Sequence, residues 1–350
     1  MNPLELHAWS LYPSIGLFIA CAAAIAVFGT RITVVVDQLA DRTGAGEAIT
    51  GAVLLGASTS LAGSVLSVTA ALGGRAELAL ANALGGIAVQ TAFLAVADLL
   101  YRRANLEHAA ASAQNMMQNA LLIVLLALIL LAPQLPGLSV WGIHPITPVL
   151  LVVYLYGLRL IRDVREQPMW RPTLTSETRQ DTPEDMAKVP GLAPLVGRFC
   201  ILLPILGISG WLLQHAASNI VAHTWLSAAV VGVLFTAVST SLPELVTSIA
   251  AVRRGALTLA VSGIIGGNAF DTLFTAASDV AYRSGSIYHA MSDSVVFWTT
   301  LTVVMTGVLM MGLIRRERRG PGVMGVESLV LLLLYGAGVG ILVLGLNAAD

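Results

Sequence analysis

Two carboxylic acids and a cluster of hydroxyl side chains lie inside apolar stretches of this 350-residue chain. The segment 239–244 reads Ser-Thr-Ser-Leu-Pro-Glu, and Asp271 lies in the next apolar stretch. An ionisable side chain at membrane depth is costly and marks an ion or proton pathway by default. Hydroxyl and carboxylate oxygens are also the ligands that hard cations prefer. We therefore predict Thr240, Ser241, Glu244 and Asp271 as cation ligands, with the two acids as the metal-binding pair.

Pro243 predicts a helix break among these ligands. Proline lacks a backbone N–H and clashes with the carbonyl one turn earlier. The carbonyls freed around 237–239 must find a partner in lipid, and a bound cation is a suitable one. A simple kink at Pro243 is the alternative, with Thr240 and Ser241 bonded back to helix carbonyls. The combination with Glu244 and Asp271 favours the ion site.

The composition predicts one membrane domain with several spans. Hydrophobic residues make up 56% of the chain, charged residues make up 11%, and the mean hydropathy is +0.81. Soluble domains are about 25% charged. The net charge of −1 argues against nucleic acid as a partner, which leaves lipids and inorganic cations. Cys21 and Cys200 lie in apolar runs; we expect both to be buried, with no disulfide or cofactor framework.

Ten apolar runs reach the roughly 20 residues that a membrane helix needs. They predict an all-α membrane protein of ten transmembrane helices, five on each side of a polar loop at 163–190. Of the 19 basic residues, 17 fall in alternate connections. By the positive-inside rule, this puts the loop in the cytoplasm and both termini outside. Abundant Ala, Leu and Arg with a single lysine, Lys188, point to a bacterial inner membrane.

The chain repeats itself at an interval of 181 residues. Ser-Thr-Ser-Leu at 58–61 falls on 239–242, and Gly-Gly at 85–86 falls on 266–267. Because each half has an odd number of spans, the halves must enter the membrane in opposite orientations. This is the inverted repeat of many secondary transporters, whose sites lie where broken helices meet at the midplane. The predicted units are a first five-helix repeat at 1–162, the loop at 163–190 and a second repeat at 191–350.

These motifs resemble those of the calcium/cation antiporter superfamily, the sodium/calcium exchangers. Thr-Ser-Leu-Pro-Glu at 240–244, followed by Gly-Gly-Asn-Ala-Phe-Asp at 266–271, is similar to the second alpha repeat, about 237–284. Thr-Ser-Leu at 59–61, with Gly-Gly at 85–86, is similar to a degenerate first alpha repeat, about 56–103. The resemblance covers the whole chain. It implies a transporter, and no enzyme, that exchanges a cation for another by alternating access.

The resemblance also implies which residues face the ions. Matching the motifs position by position gives Gly63, Gln90, Glu244 and Asp271, and Gly63 stands where the family has a glutamate. The first repeat then contributes Thr59, Ser60 and Gln90 to the cation site, and Gly63 matches the second helix break. Two carboxylates balance one Ca²⁺, two monovalent ions or two protons. This count favours Ca²⁺ exchanged for H⁺ or limited Na⁺.

Two further aspartates, Asp98 and Asp279, are symmetry mates near helix ends. Each precedes an arginine by four residues, Arg102 and Arg283, which is the spacing of a helical ion pair. They are predicted either to pair structurally or to form a gate or proton relay at each mouth. For the whole chain, the alternative to an antiporter is a non-transporting or sensory relative that binds one ion structurally. A passive channel or an intramembrane enzyme is disfavoured.

Overall fold

The computed structural model describes residues 9–43, 58–101, 104–110, 112–137, 139–169, 171–173, 175, 190–255, 257–320 and 324–345. Within these ranges the chain is helical, and Val140 and Ile143 form one isolated β-bridge. The all-α prediction is therefore confirmed. The main helices are α1 (Leu11–Thr43), α2 (Leu61–Leu72), α3 (Ala76–Leu100), α4 (Ala113–Leu131), α5 (Ile146–Glu166), α6 (Leu192–His223), α7 (Ala228–Thr240), α8 (Leu242–Arg254), α9 (Leu257–Ala281), α10 (Asp293–Arg315) and α11 (Val326–Gly345).

Six of these helices are long and apolar enough to cross a membrane, or seven if the bent pair α7–α8 is one span. They are α1, α3, α4, α6, α10 and α11. α5 and α9 contain 21 and 25 residues but are not among them. Much of the predicted second span and most of the loop 163–190 lie outside the described residues. The count of ten spans therefore stays a prediction.

α3 is the central helix of the bundle. In its most apolar 18-residue window, 83% of the residues are buried, against 22% for α6. α6 instead exposes large apolar side chains such as Ile201, Ile208 and Trp211, as a helix facing lipid does. Cys200, on the outward side of α6, is exposed while Cys21 is buried. The prediction that both cysteines are buried was wrong for Cys200, because an apolar run next to lipid needs no cover from protein.

α3 and α9 cross at their middles in opposite directions. A Cβ atom built on Gly86 of α3 would lie 3.8 Å from Asp271 Oδ2. A Cβ atom on Gly267 of α9 would lie 3.5 Å from Gln90 Oε1. Moving forward along α3 from 86 to 90 thus corresponds to moving backward along α9 from 271 to 267. Small residues at the crossing bring the polar side chains of the two helices together.

Candidate cation-binding site

The chain bends by 45° between α7 and α8. Ser241 is the residue between them, with φ −96° and ψ 3°, and Pro243 lies in the first turn of α8. Proline fits there because the first N–H groups of a helix have no partner within that helix. α7 is already irregular, since it contains a π-helical turn over Val231–Thr236. The break therefore aligns the end of α7 and the start of α8 beside the central helices.

The first repeat has the same local geometry. Ser60, the symmetry mate of Ser241, precedes α2 with φ −87° and ψ 6°. Gly63 lies in the first turn of α2, where Glu244 lies in the first turn of α8. A Cβ atom on Gly63 would be 3.6 Å from Thr240 Oγ1. The starts of α2 and α8 therefore face the same region.

A small cavity of about 10 Å³ lies between these helix ends. That volume is about enough for one water molecule or one monatomic ion. No arginine, lysine or histidine lines this cavity in the part of the chain that the structure describes. Its walls are Ser60, Gly63, Asn82, Gly86, Gln90, Thr240, Ser241, Glu244, Asp271 and Phe274.

Gln90 connects the two repeats across this cavity. Its Nε2 donates to Asp271 Oδ2 at 2.8 Å and to Ser241 Oγ at 3.2 Å. All three side chains are nearly fully buried, with 2–3% exposure. The side chains that oppose each other are therefore at equivalent positions of the 181-residue repeat, because Gln90 and Asp271 are symmetry mates.

The remaining oxygens of the site lack hydrogen-bond partners among the described residues. They are both carboxylate oxygens of Glu244, Oδ1 of Asp271, Oε1 of Gln90, Oγ of Ser60 and Oδ1 of Asn82. A buried polar oxygen without a partner costs about 1–3 kcal/mol, and an isolated buried charge costs more. Oxygen atoms without a donor are the groups that a bound cation would satisfy.

The predicted ligands are thus brought together in part by direct contact and in part by a shared cavity. Ser60, Gln90, Thr240, Ser241, Glu244 and Asp271 line the cavity. The hydroxyl of Thr240 donates back to Thr236 O at 3.0 Å, so its oxygen remains available only as an acceptor. Thr59 is buried one residue before Ser60 but does not line the cavity.

Asn82 lines the cavity but was absent from the predicted set. Its signal in the sequence was an amide within the apolar run of 77–101. Across the described residues, no group of three or more His, Cys, Asp or Glu side chains could hold a metal. The site is therefore one of hydroxyl, amide and carboxylate oxygens, which suits a hard cation rather than a transition metal.

Asp98 and Asp279 anchor backbone at equivalent places in the two repeats. Asp98 accepts from the N–H of Leu106 at 2.7 Å and of Gly325 at 2.8 Å. Asp279 accepts from the N–H of Ile287 at 3.1 Å and of His144 at 2.8 Å. Adding 181 to 106 gives 287, and adding 181 to 144 gives 325. The same pair of backbone contacts is therefore made twice.

The arginines do not share this arrangement. Asp279 is fully buried, whereas Arg283 is exposed, and the described ion pairs do not join them. Arg102 lies outside the described residues. The structural alternative for Asp279 is thus a backbone anchor rather than an ion pair. The role of these residues as a gate or proton relay stays a prediction.

Comparison with known proteins decides the family. The sequence model described as "Sodium/calcium exchanger protein" matches residues 13–160 and 194–344. The chain belongs to this exchanger family. The family is one of membrane transporters and not of enzymes, so the predictions of family and of a multi-pass membrane protein are confirmed.

The exchanger-family assignment agrees with a curated relative and with solved structures. CaxA of Alkalimonas amylolytica, which is named as an antiporter, is 32% identical over 135 residues. That match spans 38% of this chain and 40% of the length of CaxA.

The solved structures share the fold at low sequence identity. The H⁺/Ca²⁺ exchanger CAX gives a TM-score of 0.68 at 12% identity, covering 95% of this chain and 86% of its own. YfkE gives 0.65 at 14% identity, covering 95% and 93%. The sodium-calcium exchanger NCX_Mj gives 0.57 at 19% identity, covering 94% and 98%.

Proposed function

We propose that this exchanger-family protein is a secondary antiporter that moves Ca²⁺ against H⁺ or Na⁺ by alternating access. One observation carries the proposal: a buried cavity lined by oxygen atoms contains Glu244 and Asp271 and no cationic side chain among the described residues. The titles of CAX and NCX_Mj name H⁺/Ca²⁺ and sodium-calcium exchange. A cation fits the same chemistry here.

The charge of the site supports exchange rather than one-way binding. Glu244 and Asp271 supply at most two negative charges, which match one Ca²⁺, two Na⁺ or two protons. A site that must be neutralised before its helices move will carry one of these loads in each direction. Gly63 leaves the first repeat without the carboxylate that its symmetry mate Glu244 supplies. The site is therefore suited to fewer simultaneous ions than four acidic positions would hold.

The membrane arrangement belongs to the same proposal. Ten spans in two inverted repeats, 1–162 and 191–350, would place the cavity where the repeats meet. The opposite crossing of α3 and α9 and the matched anchors of Asp98 and Asp279 support this arrangement. The loop 163–190 would lie in the cytoplasm and both termini outside the inner membrane of a bacterium.

Purified protein in liposomes tests the transport function. Ca²⁺ uptake is measured with the proton and sodium gradients imposed one at a time. We expect uptake driven by one gradient, and a loss of at least tenfold in Glu244→Gln and in Asp271→Asn, because each removes one of two compensating charges. Glu166→Gln, which changes the exposed Arg162–Glu166 pair, is the control and should transport normally.

The competing function is a relative that binds one ion structurally. The missing carboxylate at Gly63 motivates it. It predicts that Ca²⁺ raises the melting temperature of the purified protein while no gradient drives uptake. Gradient-driven uptake by the wild type would exclude it.

A further inference from the structure

Asn82 is a buried amide on the wall of the cation cavity. It is 2% exposed and lies on α3, two turns before Gln90. Its Nδ2 donates to Gly63 O at 3.2 Å and to Ser67 Oγ at 2.9 Å. Since a backbone carbonyl can only accept, the amide nitrogen must be the atom that faces Gly63. Oδ1 is thereby oriented, and it has no hydrogen-bond partner within the described residues.

Asn82 stands beside the position where the first repeat lacks its acid. Glu244 is the symmetry mate of Gly63, and Gly263 is the symmetry mate of Asn82. The first repeat thus combines a glycine on α2 with an amide on α3, and the second combines a carboxylate on α8 with a glycine on α9. A Cβ atom on Gly263 would meet no atom within 4 Å. The polar group has changed helix between the two repeats.

The spacing along α3 assigns Asn82 to one end of the cavity. Asn82 and Gln90 are eight residues apart, which is about 12 Å along a helix axis. Gln90 is bonded to Asp271, whereas Asn82 is bonded to Gly63, which lies next to Thr240. The two amides therefore act at opposite ends of the same site.

We infer that Asn82 Oδ1 is a ligand of the transported cation and substitutes a neutral oxygen for the acid missing at Gly63. This inference rests on the proposed cation site. An amide oxygen completes the oxygen shell that Ca²⁺ or Na⁺ requires while it leaves the charge of the site at −2. Asn82 is thus a specificity-determining residue, because it sets how much positive charge the site must accept.

A purely structural role for Asn82 would be to tie α2 to α3 through Gly63 and Ser67. Two control variants separate this role from ion binding. Ser67→Ala removes one acceptor of Nδ2 and leaves Oδ1 in the cavity. Asn119→Ala removes another buried amide, which donates to Thr306 O at 2.9 Å and does not line the cavity.

The experiment measures Ca²⁺-driven stabilisation of purified protein and Ca²⁺ uptake by liposomes for each variant. For Asn82→Ala we expect the half-saturating Ca²⁺ concentration to rise about tenfold, the effect of losing one buried polar contact. Ser67→Ala and Asn119→Ala should stay within about twofold of wild type. Equal effects of Asn82→Ala and Ser67→Ala, or none from Asn82→Ala, would overturn the inference.

Asn82→Asp gives a readout that a structural role would not change. It adds one negative charge to the site, so the net charge moved per transport cycle, measured as current on a supported membrane, should change. Unchanged charge movement in a variant that still transports would contradict the assignment. If Asn82→Ala does not fold, Asn82→Ser replaces it, because a hydroxyl can still donate to Gly63 O while the oxygen withdraws from the cavity.

The outcome for Asn82 is separable from that for the proposed function. Wild-type protein that binds Ca²⁺ without transporting it would defeat the antiporter proposal and leave the binding comparison intact. Wild-type transport with unaltered Ca²⁺ dependence in Asn82→Ala would defeat only the inference about Asn82.

Discussion

Gln90 is the side chain through which the two halves of the site touch. Its amide replaces what would otherwise be a second acid opposite Asp271, and its Nε2 donates to that carboxylate. A carboxylate buried at this depth needs a donor or a cation. Gln90 therefore supports Asp271 when no ion is present and offers Oε1 to an ion when one binds.

Gln90→Leu tests this support. The substitution keeps the volume but leaves Asp271 Oδ2 without its donor, a loss of about 1–3 kcal/mol. We expect Ca²⁺ uptake in liposomes to fall about tenfold or more. Gln214→Leu is the matched control, because Gln214 is a buried amide that bonds only Ser218 within α6 in the described contacts. Equal loss in both variants would show that the effect is general to buried amides.

Glu107 is a buried acid outside the membrane-spanning helices. Its Oε1 accepts from Ser328 Oγ at 2.8 Å, and its Oε2 has no partner among the described residues. Burial, followed by the nearby Asp98 charge, raises the pKa of Glu107 from 4.5 to about 7. Glu327 also faces it, and Arg315 lies 3.5 Å from that second glutamate.

The raised pKa of Glu107 predicts a pH-dependent stability. The folded protein holds this proton more tightly than the unfolded chain, so the contribution is complete below pH 4.5 and is lost as pH rises through 7. The full effect is on the order of 3 kcal/mol. Thermal unfolding between pH 5 and 8 should show a steeper decline for wild type than for Glu107→Gln. Parallel curves would contradict the prediction, and exposed Glu166→Gln should follow wild type.

At the scale of elements, close helix contacts bring the polar groups together. A Cβ atom on Gly85 of α3 would lie 2.9 Å from Val233 Cα, in the π-helical turn of α7. Contact this close excludes any side chain at position 85. α3 can therefore approach the broken helix only through glycine.

Gly85→Ala should separate α3 from α7. Overpacking of a tight contact costs about 1–3 kcal/mol, so we expect a melting temperature several degrees lower and weaker Ca²⁺ binding. Gly16→Ala is the control, since a Cβ atom there would meet nothing within 4 Å. Alanine at position 16 should leave stability unchanged or increase it, because alanine favours helix. Similar behaviour of the two variants would refute the role of the contact.

At the scale of the whole molecule, the orientation in the membrane follows from the distribution of arginine. Met169 and Ser284 test it because both are exposed and flank different helices. In a chain with Cys21 and Cys200 changed to alanine, Ser284→Cys should react with an impermeant thiol reagent applied to intact cells. Met169→Cys should react only after the cells are opened. The reverse pattern would invert the proposed topology.

The repeat also organises contacts far from the cavity. Asp98 and Asp279 each hold two backbone segments that are related by the same interval of 181 residues. His108 and His289 add a further pair, since their ring nitrogens lie 2.6 Å from Arg316 O and 3.1 Å from Leu135 O. Adding 181 to 135 gives 316. The duplicated anchors explain why polar residues recur at both helix ends.

The sequence by itself determined the solvent, the repeat, the family and the main acids. Long apolar runs, a fixed interval of 181 and the motifs around Glu244 and Asp271 are local or periodic signals, and such signals survive without coordinates. The sequence could not determine which oxygens lack partners, because a hydrogen bond such as Gln90 to Asp271 joins helices far apart in the chain. Only the tertiary structure placed Asn82 beside Gly63, since that contact depends on how α2 packs against α3. It likewise assigned Asp279 to backbone N–H groups rather than to Arg283, because burial separates the carboxylate from the exposed guanidinium.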